Sequence, residues 1–353
     1  MSVRTSHFRN AEGIRGLACL IVLAVHCSGM FFPATGAYLG GVGKIGVWLF
    51  FVLSAFLLTN HLLLGSIDRR RLADYAVARF LRIVPLYLLA VVAYRFLGTA
   101  GINNSEKLFQ AATLQRGFVH LWTIPVECKF YVLLAVLIIP LALAYRRIGP
   151  AWSFVAVAAT AAAFAALFPF SATPGNSVSL WWYVPCFLTG VAAAVIYPTL
   201  PSTGQGMCTV ANVLVIGALV LSTNFFRSLI GGPAEPQWLS NKFIPIGLAW
   251  AGLLVLNVDR GGAWSKFWNA VPLQRVGRWS YPIYLFHWLI LQLLAHRHRG
   301  DATVAAIALA SSVAIGAAMN WIVERPLMAA RRRYAERVER RSRASVCLAQ
   351  ESR

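Results

Sequence analysis

Residues 12–26 read Glu12-Gly-Ile-Arg15-Gly-Leu-Ala-Cys-Leu-Ile-Val-Leu-Ala-Val-His26, a charged beginning followed by an apolar run that ends in a histidine. Such a run is typical of a membrane helix. Arg15 and His26 are eleven residues apart, which is close to three helical turns, so a helix places both side chains on one face, separated by roughly 16 Å along its axis. Ionisable groups are costly in lipid, so we expect this face to point into the protein.

The composition is that of an integral membrane protein. Of the 353 residues, 58% are hydrophobic and 12% are charged, whereas soluble domains are roughly 45–50% apolar and about 25% charged. Lys and Arg outnumber Asp and Glu by 32 to 12. Such an excess can indicate nucleic-acid binding, but here the basic residues lie between apolar runs and at the C-terminal end, which is typical of cytoplasmic loops. We therefore expect a lipid bilayer as the partner, and no nucleic acid.

Apolar runs of about 17–25 residues are long enough to cross a bilayer as helices. By this criterion the sequence predicts an all-α fold, a polytopic membrane helix bundle of about ten transmembrane helices. The predicted spans are 13–32, 46–65, 83–98, 125–145, 151–169, 179–198, 208–226, 243–258, 279–295 and 302–323. The six cysteines have no paired spacing, so we expect neither a disulfide framework nor a metal site.

The distribution of positive charge orients these helices. With the N-terminus inside, the inner segments carry 23 Lys and Arg residues and the outer segments carry eight, which favours an N-in, C-in protein of the cytoplasmic membrane. We divide the chain into one integral membrane domain, 1–330, and a basic cytoplasmic tail, 331–353, and expect no further extramembrane domain. We also expect Pro85 to break or restart the third helix, and Pro326 to end the last one.

Ionisable residues lie at defined depths in these spans. Arg79 and Arg82 are three residues apart and share a helix face at the predicted inner surface. Glu127 lies close to the outer start of the fourth span, where the helix dipole favours a carboxylate. His26 lies in the same outer half of the membrane, so we expect that these two side chains can meet. His287 falls near mid-depth in the ninth span.

Six blocks of sequence stand in a fixed order along the chain. They are Gly13-Ile-Arg15-Gly-Leu-Ala followed by His26, Leu49-Phe-Phe-Val-Leu-Ser54-Ala-Phe-Leu, Arg79-Phe-Leu-Arg82-Ile-Val-Pro85, His120-Leu-Trp122 through Glu127 to Phe130-Tyr131, Ser280-Tyr-Pro-Ile-Tyr284-Leu-Phe-His287, and Glu324-Arg-Pro326. Together they resemble the acyltransferase-3 family of multi-pass membrane proteins, which includes bacterial O-antigen, nodulation-factor and macrolide acyltransferases. Departures such as Ala55, where the family usually has Gly, remove no group expected to do chemistry.

The resemblance implies an O-acyltransferase that moves an acyl group, most commonly acetyl, from acyl-CoA to a hydroxyl of a carbohydrate or glycolipid. This reaction needs a base for the hydroxyl or a nucleophile that carries the acyl group. His26 suits either role because imidazole titrates near neutrality, with Glu127 as the carboxylate that orients it. Arg15, Arg79 and Arg82 would then form a cationic entry for the phosphates of CoA.

The other candidates for substrate binding are His287, Trp122, Tyr131 and Tyr284. Each family-implied role has a structural alternative, since His287 can bond a neighbouring helix and Trp122 can belong to an interfacial aromatic belt. Buried Arg, His and Glu also build proton relays, so a secondary transporter or proton-coupled permease is the competing hypothesis. The second half of the sequence does not repeat the pattern of the first half, whereas such transporters often have two matched halves. The acceptor, the acyl chain length and the oligomeric state are not predicted.

Overall fold

The computed structural model describes residues 8–201, 203–232, 235, 238–259 and 261–336. These residues form helices and loops without a strand, which confirms the predicted all-α fold. The main helices are α1 (Ala11–Phe31), α2 (Val42–Leu63), α3 (Arg69–Phe96), α4 (Thr123–Leu167), α5 (Val184–Ile196), α6 (Gln205–Leu221), α7 (Phe243–Asn257), α8 (Val271–Ala295) and α9 (Ala302–Met319). A π-helical turn, Asn320–Glu324, follows α9 directly.

Each predicted span falls on one of these helices, and the bundle is that of a polytopic membrane protein. The fourth and fifth spans are the two arms of α4, which bends at Gly149. This residue has a φ of 79°, a left-handed conformation that glycine adopts without strain. Within the described part of the chain, five helical stretches are long and apolar enough to cross a membrane, and α5, α6 and α7 are apolar but shorter. The N-in, C-in orientation stays a prediction.

Two prolines do not interrupt helices as predicted. Pro85 lies in the interior of α3, which runs without a break from its N-cap Asp68; this carboxylate accepts from the backbone N–H of Arg71 at 2.7 Å. Pro326 does not end the last helix, because the helix resumes after the π-helical turn and continues to Glu336. A proline removes one backbone donor, and in a membrane bundle neighbouring groups or a local π turn can accommodate the freed carbonyl.

The predicted basic tail begins as a continuation of this helix. Arg331 donates a hydrogen bond to the backbone oxygen of Asp74 at 3.3 Å, so the start of the tail packs against α3. Residues 337–353 of the tail lie outside the described residues, as do Arg4 and Arg260, which contributed to the predicted orientation.

Helix α1 packs along α8 and α2. Glycines allow these contacts to be close. A Cβ on Gly16 would collide with the backbone oxygen of Leu273, and one on Gly277 would collide with that of Glu12. Backbones that touch in this way are typical of membrane helix pairs with small residues at the interface. The close approach brings the face of α1 that carries His26 directly against α8.

Candidate active site

A cavity of about 570 Å³ enters the bundle between α1, α2, α3, α4 and α8. Its lining on α2 runs from Val47 to His61, so it extends roughly 21 Å along that helix. The exposed side chains of His61 and Asp74 lie at its mouth, and the buried side chains of Val47, Thr123 and Tyr284 lie at its far end. We call it the inner cavity, because its mouth lies at helix ends that are predicted to be cytoplasmic.

Three predicted arginines line the inner cavity, but they differ in their partners. Arg15 pairs with Glu12 at 2.8 Å, and Arg82 pairs with Glu324 at 3.2 Å. Arg79 has no carboxylate within 4.0 Å among the described residues, and its Nε is buried without a hydrogen-bond partner. A buried cation without a counter-ion is costly. Of these three arginines, Arg79 is therefore the one best placed to bind an anionic ligand.

Glu127 belongs to the inner cavity and does not hold His26. Its Oε1 accepts hydrogen bonds from the hydroxyl of Ser54, at 3.1 Å, and from the hydroxyl of Tyr131. The expected contact with His26, in which the carboxylate orients the imidazole, is therefore wrong. The reason is geometric: the side chain of Glu127 points from α4 toward α2, whereas the bond that His26 makes is to α8.

A second cavity, of about 320 Å³, lies beyond the far end of the first, and we call it the outer cavity. Val47 and Tyr284 line both cavities, so only a single layer of side chains separates them. The exposed residues Gly29 and Asn176 belong to the rim of the outer cavity. Its aromatic and ionisable lining residues are His26, Lys44, His120, Trp122, Tyr284 and Trp288.

His26 and His287 form a hydrogen-bonded pair. The Nδ1 of His26 lies 2.8 Å from the Nε2 of His287, and the ring planes are parallel to within 1°. The Nδ1 of His287 lies 2.8 Å from the backbone oxygen of Tyr284 and 3.1 Å from that of Ile283. Because carbonyl oxygens only accept, this nitrogen carries a proton, and in the neutral pair Nε2 of His287 accepts from Nδ1–H of His26. The hydrogen-bond network thus leaves a lone pair on Nε2 of His26.

The free nitrogen of His26 has space beside it. A Cβ placed on Gly43, at the start of α2, would lie 3.8 Å from Nε2, so the lack of a side chain there keeps this region open. The ring of Trp288 meets the His26 ring edge-on, with 5.0 Å between the centroids. An oriented imidazole with a lone pair and an open approach has what a general base needs.

His120 is a second imidazole of the outer cavity. It is 4% exposed, and within the described part of the chain neither ring nitrogen has a hydrogen-bond partner of good geometry. The preceding residue, Val119, has a φ of 48°, which is rare for a β-branched residue. Its backbone oxygen accepts from Nδ2 of Asn176 at 3.4 Å. Strain of this kind often marks functional sites, and here it accompanies a polar ring that is free to bond a ligand.

The predicted site residues are distributed over the two cavities. Arg15, Arg79, Arg82, Glu127 and Tyr131 line the inner cavity. His26 and Trp122 line the outer cavity, and Tyr284 lines both. His287 lines neither of these two cavities, because it lies behind His26 and bonds to it. The expected contact of His287 with substrate stays a prediction, and its bond to His26 also suits a positioning role.

Sequence reasoning gave no role to Lys44 or His120. A signal was available for Lys44, since it is a cation at the predicted outer end of a membrane helix, where positive charge is uncommon. His120 lies within a block that was recognised for its pattern, but its neighbours along the chain do not indicate that both ring nitrogens lack partners. Only the packing of the helices reveals this.

Comparison with known proteins identifies acyltransferases. A family model described as an acyltransferase domain matches residues 8–321. The chain is 24% identical over 319 residues to the peptidoglycan O-acetyltransferase OatA of Listeria monocytogenes, covering 80% of this chain and 49% of that protein. It is 25% identical over 385 residues to the acyltransferase MdmB of Streptomyces mycarofaciens, covering 93% of each. The chain thus spans about half the length of the OatA protein. No solved structure matches it significantly.

Proposed function

Since the chain belongs to the acyltransferase-3 family of membrane acyltransferases, we propose that it transfers an acyl group, in the first place acetyl, from acyl-CoA to a hydroxyl of a carbohydrate or related acceptor. We assign it to the cytoplasmic membrane, with the inner cavity open to the cytoplasm. The observation that carries the proposal is the lone pair on Nε2 of His26, beside the thin wall between the two cavities. The thioester would reach this wall from one side and the hydroxyl from the other.

The inner cavity suits a donor with phosphates at one end and a long uncharged arm. Arg71 and Arg331 line its mouth, and Arg79 lines it further in. Guanidinium groups bind phosphate oxygens through paired hydrogen bonds. The cavity extends roughly 21 Å along α2, so a pantetheine arm that starts near Arg79 would bring its thioester toward Val47 and Tyr284.

We assign Glu127 a role on the donor side. Its carboxylate already accepts from Ser54 and Tyr131 in the inner cavity. A carboxylate has further acceptor capacity, which can bond the amide N–H groups of the pantetheine arm. Glu127 would thus fix the position of the donor, while His287 fixes that of the base.

Transfer would proceed by general-base catalysis. Nε2 of His26 accepts the proton of the acceptor hydroxyl as its oxygen attacks the thioester carbonyl, and His287 stabilises the resulting imidazolium by accepting from Nδ1–H. Collapse of the tetrahedral intermediate breaks the C–S bond, and the CoA thiolate takes the proton from Nε2. The same lone pair can instead attack the thioester first and form acyl-His26. Both routes require the same nitrogen, and trapping of the acyl-enzyme in the absence of acceptor distinguishes them.

The test is the slow release of free CoA thiol from acetyl-CoA by the purified full chain in detergent, with water taking the place of the acceptor hydroxyl. We expect His26→Ala to lower the rate by about 10²–10⁴-fold, the usual contribution of a general base. The matched control is His298→Ala, which changes an exposed histidine outside both cavities and should leave the rate unchanged. Both variants should keep the thermal unfolding profile of the wild type. Full turnover by His26→Ala would refute the proposal, and solute flux without any dependence on acyl-CoA would favour a transporter.

A further inference from the structure

We propose that the outer cavity selects saccharides that carry a carboxylate or a phosphate close to the hydroxyl that is acylated, and that Lys44 binds this anion. The inference rests on the proposed function, because it assumes that the hydroxyl lies at His26. It deepens that function by naming the class of acceptor.

Lys44 is a cation of the outer cavity without a counter-ion. It lies in the first turn of α2, half-buried, and its Nζ lies 3.5 Å from the backbone oxygen of Ser240 and 5.4 Å from the centroid of the Trp122 ring. Of the carboxylates that the structure describes, none lies within 4.0 Å of this ammonium group. Cations within membrane segments are usually paired or belong to the path of a charged ligand. Lys44 already has a backbone oxygen and an aromatic ring beside it, but no anion among the described residues, and we infer that the ligand supplies one.

Two further cations, Arg227 and Lys242, contact the segment that includes Ser240, the residue beside Lys44. Arg227 lies 3.7 Å and Lys242 lies 4.2 Å from the centroid of the same ring, that of Trp238. Trp238 is two residues before Ser240, which Lys44 contacts. Neither Arg227 nor Lys242 forms an ion pair with a carboxylate of the described residues. Arg227 and Lys242 do not line the outer cavity, but cations without a carboxylate partner add to a positive field that attracts anions.

The rest of the lining suits a saccharide. Trp122 and His120 both line the cavity, and no hydrogen bond of good geometry to either ring nitrogen of His120 is found among the described residues. Pockets that combine aromatic walls with a few polar groups are typical of small-molecule sites. Gly43 adjoins Nε2 of His26, and Lys44 is the next residue. His26 and Lys44 both line this cavity of about 320 Å³, so one ligand bound in it can present a hydroxyl to the base and an anion to the ammonium group.

The experiment measures binding of monosaccharides to the purified full chain in detergent, by saturation-transfer NMR titration. The probes are glucose, glucuronic acid as the carboxylate and glucose 6-phosphate as the phosphate. We expect the wild type to prefer the anionic probes by about tenfold, as a hydrogen bond to a charged group would give. Lys44→Gln should bind all three probes alike, and Lys44→Arg should retain the preference. The matched control is Lys107→Gln, which changes an exposed lysine outside both cavities and should also retain it.

A wild type that binds glucose as tightly as both anionic probes would overturn the inference, as would a preference that persists in Lys44→Gln. A preference for only one of the two anions would narrow the acceptor to that chemistry. The preference for anionic probes is measured without acyl-CoA, so this test does not depend on whether the protein transfers an acyl group. A protein that shows the Lys44-dependent preference but never releases CoA would refute the transferase and leave the anion site. A protein that releases CoA through His26 but shows no preference would refute the anion site alone.

Discussion

The inner and outer cavities lie on the two sides of one thin wall, yet they differ in how their charged side chains are paired. In the inner cavity Arg15 and Arg82 are neutralised by carboxylates of the protein itself, and Arg79 is the arginine of that group left unpaired. In the outer cavity His26, the proposed base, is held by the imidazole of His287, and Lys44 has no carboxylate beside it among the described residues. Fixed ion pairs hold a shape, whereas unpaired groups are available to ligands. The contrast fits the proposal that the inner cavity is the entry for the donor and that the outer cavity binds the acceptor.

The largest expected effect is a loss of kcat on replacing His287, and it tests the outer-cavity side of this comparison. We expect His287→Leu to lower kcat by about 10²-fold, because the imidazolium of His26 loses its acceptor and the tautomer is no longer fixed. The KM for acetyl-CoA should not change, since His287 lines neither cavity. Initial rates of CoA release at varied acetyl-CoA concentration measure both quantities.

The conservative variant His287→Gln tests whether the effect is electrostatic. Its amide oxygen can accept from Nδ1–H of His26, and its amide N–H can donate to the backbone oxygens that His287 now contacts. We expect this variant to recover most of the lost kcat and to titrate with a pH profile close to that of the wild type. Equal losses in the Leu and Gln variants would show that His287 only fills space.

The next prediction tests the inner cavity by comparing two arginines, Arg79 and Arg82, that share one face of α3. Arg79→Met should raise the KM for acetyl-CoA by about tenfold or more, the equivalent of about 1.5–3 kcal/mol for a hydrogen bond to a charged group. Arg82→Met should instead leave the carboxylate of Glu324 buried and unpaired, at a cost of about 3–5 kcal/mol in the free energy of unfolding. Steady-state kinetics and thermal unfolding separate the two. Equal KM increases with no loss of stability in Arg82→Met would contradict the assignment.

The membrane spans could be predicted from the sequence because crossing a bilayer depends on local composition. The predictions that failed are those in which a rule for isolated helices was overridden by the packing of neighbouring helices. Pro85 and Pro326 were expected to interrupt helices, and both are accommodated within longer helical runs. In the same way, the common face of Arg15 and His26 followed from helical spacing alone, and both side chains do point into the interior of the bundle.

The partner of His26 could not be predicted, because it depends on which helices touch. Glu127 and His287 were both at a suitable depth, and a carboxylate was the more familiar orienting group. The backbone contact between α1 and α8 at Gly16 and Gly277 decides the matter, since it brings together two histidines that are 261 positions apart in the chain. No periodicity within a single span carries that information. The isolation of Lys44 is equally a property of the assembled bundle.

The smallest expected effect concerns the approach to the free nitrogen. Gly43→Ala would place a methyl group 3.8 Å from Nε2 of His26, which is an ordinary contact that the helix tolerates. The acceptor oxygen, however, must come within about 2.6–3.2 Å of that nitrogen, and the methyl group narrows its path. We therefore expect a severalfold lower transfer rate with unchanged stability and unchanged KM for acetyl-CoA. The control Gly217→Ala adds a methyl group to α6, outside both cavities, where nothing lies within 4 Å, and it should behave as the wild type. Wild-type transfer by Gly43→Ala would mean that the hydroxyl reaches His26 from another side, and the outer cavity would no longer be the acceptor site.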